Sequence, residues 1–286
     1  MRRDRAGYAM VAIAASTWGT WSLFFRRAER LAPISAALEA TIVLTVVGLA
    51  PLPWALGRRA GPTRPARAFA GLAALGLLDA GNSLCFFGAM QKTSIAVAVL
   101  THYLAPLLVA IAAPRVLGER ARASTWASLG VALAGLCLLL EPWRSGASAT
   151  LDGATLGLAS AVFYATSMLL NKRLSRWFTA PELISWHAPV ALVVLALFVP
   201  HGGFAIGLAP LAWLVSGALV VGAGAAVLFV YGLARIPASH ASVLTLLEPL
   251  VAVVVAAVAW GEIPGPAAGV GAALLLAAAW GVVRGS

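Results

Sequence analysis

The chain alternates long apolar runs with short polar links. Ten runs stand out: residues 8–25, 34–56, 67–90, 94–117, 124–141, 153–171, 181–200, 208–233, 238–260 and 265–283. Each is close to the ~20 mostly apolar residues that cross a bilayer as a helix. The runs are continuous and rich in Ala and Leu. They lack the alternating segments of roughly 10 residues that build membrane barrels, so each predicts a spanning helix. The links hold the turn residues, among them Arg58-Arg59 through Pro65, Pro142 through Ser148, His201-Gly202-Gly203 and Ile263-Pro264-Gly265. The first run follows Arg2, Arg3 and Arg5 and invites reading as a leader peptide. Its length, to Phe25, favours a retained span.

Composition sharpens this picture. The chain is 61% hydrophobic and 10% charged, against roughly 25% charged in a soluble domain. Such a chain cannot clothe a globule in water-compatible side chains. The net charge of +10 and pI near 11 would suggest nucleic acid in a soluble protein. Here the basic residues cluster between the apolar runs, so they report membrane topology and no nucleic-acid partner is expected. With the N-terminus inside, 15 of the 20 Lys and Arg fall in cytoplasmic segments, which predicts both termini in the cytoplasm. Arg26, Arg27 and Arg30 run against that rule, offset in part by Glu29.

The two halves of the chain repeat. At a shift of 143, residues 81–119 match residues 224–262 without a gap: Phe86 with Phe229, Lys92 with Arg235, Pro106 with Pro249, and Gly118-Glu119 with Gly261-Glu262. At a shift of 146, Trp18 meets Tyr164 and Arg26-Arg27 meets Lys172-Arg173. Five runs against five makes the second half cross the membrane in the opposite sense. The predicted fold is therefore all-α and integral to the membrane, with ten transmembrane helices as two inverted five-helix repeats, residues 1–145 and 146–286. Inverted repeats enclose a midplane site and expose it to each side in turn.

Ionisable groups inside spans are costly and mark function by default. Asp79, Asn82 and Phe86 share one stripe of the third run; Ser160, Tyr164 and Ser167 line the sixth; Ser242, Thr245 and Glu248 recur every third residue on the ninth. His102 and Tyr103 lie in the fourth run and Trp186-His187 in the seventh. The expected substrate-binding set is Trp18, Asp79, Asn82, His102, Tyr103, Tyr164, Trp186, Thr245 and Glu248. A carboxylate in an apolar cavity is disfavoured in its charged form, which makes Glu248, Asp79 and Glu39 the candidates for proton coupling. Glu248 leads, because its repeat partner is apolar Ala105. Pro106 and Pro249, which lack an amide hydrogen, are the expected hinges; Gly118-Glu119 and Gly261-Glu262 read as turns and caps. Deep acids with aromatics, and no deep Lys or Arg, suit an ammonium group better than a phosphate.

Through Gly88-Ala89-Met90 to Pro106 and Gly118-Glu119, and again Tyr231-Gly232-Leu233 to Pro249 and Gly261-Glu262, the whole chain resembles the EamA-type branch of the drug/metabolite transporter superfamily. The resemblance implies a ten-helix carrier. Members move amino acids, amines, nucleotide sugars and other metabolites, and the family often has an Arg near the position of Glu39. The expectation is a secondary active transporter in a bacterial cytoplasmic membrane. It would export amino acids or amine-bearing compounds with proton coupling, need no cofactor or metal, and have the lipid bilayer and protons as partners. A facilitative uniporter or importer of a cationic metabolite is the alternative. An intramembrane enzyme is a weaker one, since Gly-x-Ser-Gly, paired aspartates and His-Glu-x-x-His are all absent, and no Walker motif provides for ATP.

Overall fold

The computed structural model describes residues 4–57, 63–144 and 150–285. Arg2, Arg3, Arg58 and Arg59, which entered the orientation count, lie outside the described residues. Among the described residues every regular element is helical. The order is α1 (Arg5–Trp18), α2 (Ser22–Glu29), α3 (Ala36–Leu49), α4 (Leu52–Leu56), α5 (Ala66–Lys92), α6 (Ile95–His102), α7 (Ala105–Val116), α8 (Ala123–Leu140), α9 (Leu151–Leu174), α10 (Ala180–Ala196), α11 (Leu208–Gly217), α12 (Gly224–Leu233), α13 (Ala238–Leu244), α14 (Leu247–Trp260) and α15 (Ala268–Arg284). A π-helical turn, Ala218–Ala223, joins α11 to α12.

Six helical stretches are long and apolar enough to cross a membrane: Ala66–Lys92, Ile95–Val116, Ala123–Arg144, Leu151–Leu174, Leu208–Leu233 and Ala238–Trp260. Ala36–Leu49, Ala180–Ala196 and Ala268–Arg284 are shorter apolar helices. The outside of the bundle is apolar too, with Leu197, Val220 and Val258 largely exposed. A surface of that kind is stable against lipid rather than water.

Local chemistry sets the helix starts. Ser35, Ser94 and Thr150 each accept a backbone N–H from the first turn that follows, satisfying a donor the helix cannot. Thr179 and Glu182 form a reciprocal capping box at α10. Breaks inside the apolar runs refine the sequence reading. The first run breaks at Gly19, where an added Cβ would stand 2.6 Å from Glu248 O; α1 and α14 touch backbone to backbone there. The second run breaks at Pro51. The fourth breaks at Tyr103-Leu104 and the ninth at Thr245-Leu246, so Pro106 and Pro249 sit in the first turn of the next helix. That turn has no intrahelical use for the missing amide hydrogen.

The centre of the bundle is α5, α9 and α10, with α1 on α12 and α14, and α3 on α10. Off to one side, α8 packs along α15. Gly135 faces the Gly271 carbonyl, where an added Cβ would come within 2.9 Å, and Gly271 in turn presses on the backbone of Gly135 and Leu139. Small residues allow this close an approach of two helices.

Candidate functional site

The α5 stripe meets the α9 stripe. Ser167 Oγ donates to Asp79 Oδ1, and Ser160 Oγ donates to Asn82 Oδ1 at 2.8 Å. Having given its only proton to Asn82, Ser160 accepts from His102 Nδ1 at 2.7 Å. On the α10 side, His187 Nε2 lies 2.9 Å from Asp79 Oδ2. A cavity of about 240 Å³ opens among these helices, lined by Trp18, Asp79, Asn82, Tyr164, Asn171 and His187 with apolar neighbours. Trp18 packs against Phe229, ring centres 5.1 Å apart.

A second layer lies beside the cavity wall. The His102 ring is 5.1 Å from both Tyr103 and Tyr164 and 4.6 Å from Phe86. Tyr103 lies near Glu248, and Tyr164 lies near Thr245 and Glu248. Glu248 sits in the first turn of α14, just past the break. Thr245 donates to Ser242 O at 2.7 Å.

The candidate residues therefore divide. Trp18, Asp79, Asn82 and Tyr164 line the cavity; His102, Tyr103, Thr245 and Glu248 adjoin it. Trp186 lies elsewhere, between Phe69 and Phe178 with Arg64 5.3 Å from its ring. Its chain neighbour His187 faces the cavity instead, as expected for adjacent residues about 100° apart on a helix. Glu39 also stands apart, 5% exposed in the first turn of α3, with Oε1 buried and unpartnered. Sequence stripes missed His187 and Asn171. Among the described residues no cluster of three His, Cys, Asp or Glu could hold a metal ion.

Among the described residues ion pairs join distant parts of the chain at several places, two of them related by the repeat. At one end, Lys172 Nζ is 2.6 Å from Glu119 Oε1 and also donates to Ile236 O. The other carboxylate oxygen, Glu119 Oε2, accepts Ala238 N at 2.8 Å and so caps α13. Nearby, His240 bridges the Tyr8 hydroxyl (2.6 Å) and Thr125 (3.0 Å). Asp4 pairs with Arg235 at 3.8 Å, and Arg122 donates to Gly285 O at 3.2 Å. At the other place, Arg26 pairs with Glu262 beside a cavity of about 500 Å³ that Ile95, Ala96 and Glu141 also line. Arg27 lies over Trp213 and Arg30 over Trp260, at 5.1 and 4.7 Å. These contacts account for the arginine cluster that charge pattern alone left unexplained. By the repeat, Glu119 corresponds to Glu262 and Lys172 to Arg26. Both Gly-Glu steps also share a geometry. Gly118 and Gly261 have φ of 73° and 71°, and Glu119 N and Glu262 N return to Ala113 O and Ala256 O, closing the same helix-ending motif.

An apolar-surfaced helical bundle around a small, mostly apolar cavity with a few polar groups defines an integral membrane protein of the transport class. The chain belongs to the EamA-like transporter family, whose sequence model matches residues 5–141 and again residues 151–284. An uncharacterized transporter of Archaeoglobus fulgidus is 30% identical over 274 residues, covering 96% of this chain and 94% of that one. The pseudopaline exporter CntI of Pseudomonas aeruginosa is 26% identical over 191 residues, 66% of this chain and 65% of its own. A crystal structure at 21% identity superposes with a TM-score of 0.83 over 98% of this chain and 99% of that one, a likeness of fold.

Proposed function

We propose that the protein is a secondary carrier that moves an amine-bearing metabolite or amino acid outward across a bacterial cytoplasmic membrane in exchange for protons. On this reading it has ten spanning helices in two inverted halves, residues 1–145 and 146–286, with both termini cytoplasmic. The observation that carries it is the pair of repeat-related ion contacts, Glu119–Lys172 and Glu262–Arg26. Each joins one half to the other. Each half supplies one acid and one base, which suits two repeat-related bundles alternating about a shared site. Helix pairing supports the same symmetry: α1 on α12 is the counterpart of α9 on α5. Asp4 and Gly285 both belong to the Glu119–Lys172 end through Arg235 and Arg122, which supports termini on one side.

Trp18, Asp79, Asn82 and Tyr164 form the substrate site in this reading, with His102, Tyr103, Thr245 and Glu248 behind it. An ammonium fits an acid between aromatic faces. Asp79 is the acid the cavity favours, since it lines the cavity and Glu248 does not. The breaks before Pro106 and Pro249 are the flexible points. The exporter name of a relative supports the outward direction. Uptake of labelled amino acids and amines into proteoliposomes, with and without a pH gradient, tests the proposal. Accumulation that follows the gradient is expected. No transport of any member of the panel, or transport indifferent to pH, would overturn the ammonium–proton reading.

A further inference from the structure

His187 was not among the residues singled out for binding, yet its two ring nitrogens pose a counting problem. Nδ1 stands 2.5 Å from Leu183 O, the carbonyl one turn back on α10. Nε2 stands 2.9 Å from Asp79 Oδ2, an ion-pair distance at an angle that makes no hydrogen bond. A carbonyl accepts, and an ionised carboxylate accepts. With its one hydrogen on Nδ1 for Leu183 O, a neutral imidazole would set the Nε2 lone pair 2.9 Å from the carboxylate oxygen. Two acceptors at that distance repel; with hydrogen on both nitrogens an imidazolium faces a carboxylate and the contact becomes an attractive ion pair. The other Asp79 oxygen already accepts from Ser167. The pair is held rigidly. At Gly76, a turn before Asp79, α5 presses on α10: an added Cβ would stand 2.6 Å from His187 O. His187 is 6% exposed, while the Asp79 side chain keeps 27% exposure toward the cavity.

We propose that His187 stores the exchangeable proton against Asp79, and that an ammonium-bearing substrate binds by taking the imidazolium's place beside that carboxylate. This rests on the carrier function proposed above. The exchange balances. The resting pair holds one carboxylate and one imidazolium. When a monovalent ammonium pairs with Asp79, the imidazolium loses its proton and the ring becomes neutral. One cation enters the site and one proton leaves it, with no change in the charge of the cavity. Asn171 Oδ1, buried on the same wall without a partner, is a further acceptor for the substrate's N–H groups.

The surrounding titratable groups leave this role to the pair. On α9, Tyr164 lines the cavity near Thr245, while Asp152, Lys172 and Arg173 sit at the helix ends. His102 of α6 is tied to Ser160. Glu39 of α3 is in that helix's first turn, Tyr231 of α12 is at its exposed edge, and α4 has no titratable group. On α5 itself, Arg67, Cys85 and Lys92 lie outside the cavity lining, and Glu182 of α10 pairs with Arg64 at 2.7 Å. Glu248 of α14 lies beside Tyr103 and Tyr164, outside the cavity lining.

Nitrogen-15 NMR of the purified protein, labelled at histidine, reads the stored proton without any substrate. Comparison with His187→Gln assigns the ring among the four histidines. At neutral pH His187 is expected to show two protonated nitrogens, and Asp79→Asn is expected to convert it to the neutral pattern. In proteoliposomes, with labelled choline as probe, residual uptake by His187→Gln is expected to ignore an imposed pH gradient. A neutral His187 ring in the wild-type protein, a ring unchanged by Asp79→Asn, or pH-driven choline accumulation that survives His187→Gln overturns the proposal. Choline left untransported by the wild-type protein counts against the ammonium-carrier reading, and the NMR result alone then decides where the proton is held.

Discussion

At the Glu119–Lys172 end, the ion pair is woven into the backbone. Lys172 holds Ile236 O and Glu119 holds Ala238 N, so both charges also serve peptide groups around the start of α13. At the Arg26–Glu262 end, the corresponding pair borders open space. The side chains are 12% and 28% exposed at the first end and 38% and 53% at the second. The same two charges therefore act as a buried seal in one place and as a loose latch in the other. Removing one partner of a buried pair costs about 3–5 kcal/mol, because the other charge is stranded. Exposed pairs are worth about 0–1 kcal/mol. The difference follows from what else each carboxylate and cation can reach.

Exchanging the charges should separate the ends most sharply. Lys172→Glu combined with Glu119→Lys restores opposite charges, but sets a carboxylate against Ile236 O and an ammonium against Ala238 N. The double variant, like Lys172→Met alone, is expected to lose about 3 kcal/mol in detergent unfolding, the low end for a partly buried pair. Arg26→Glu with Glu262→Arg is expected to stay near the parent. Equal losses at the two ends would break the comparison.

Thiol accessibility comes next in size. With Cys85 and Cys137 replaced by Ala, Ala96→Cys in the open cavity should react at least about tenfold faster than Ser239→Cys, its repeat counterpart at the sealed end, where labelling waits for local opening. Similar rates would mean that both ends are open. Tyr8→Phe leaves His240 Nδ1 without its 2.6 Å partner and should cost about 1 kcal/mol, read from the same unfolding curves. Arg26→Gln is expected to have the smallest effect, under about 1 kcal/mol, and to shrink further in high salt.

These contacts were legible in the sequence to different degrees. The apolar runs marked the helices because lipid demands them. The paired prolines flagged the breaks at Tyr103-Leu104 and Thr245-Leu246, because proline favours the first turn of a helix. Gly118-Glu119 was readable as a turn, since a left-handed step suits glycine. What the glutamate does afterwards was not readable. Its partners, Lys172 and Ala238, lie far along the chain, and only packing brings them to one point. The cavity was half legible for the same reason. Stripes on α5 and α9 named Asp79, Asn82 and Tyr164, because polar side chains avoid lipid. A stripe gives a face and not the facing neighbour, so His187 on α10 was passed over in favour of Trp186, one residue away and pointing elsewhere.

The contact of Gly135 with Gly271 has a mechanical meaning. It ties α8 to α15, the last helices of the two segments that match the family. Two backbones in direct touch have no side chain between them to change rotamer, so they cannot slide without a clash. They can still roll against each other. If the two halves rock as proposed, this glycine seam is the fulcrum, and displacement grows with distance from it. The Glu119–Lys172 and Arg26–Glu262 pairs then sit on lever arms. A bulky side chain at Gly271 would jam the pivot without touching either ion pair or the cavity.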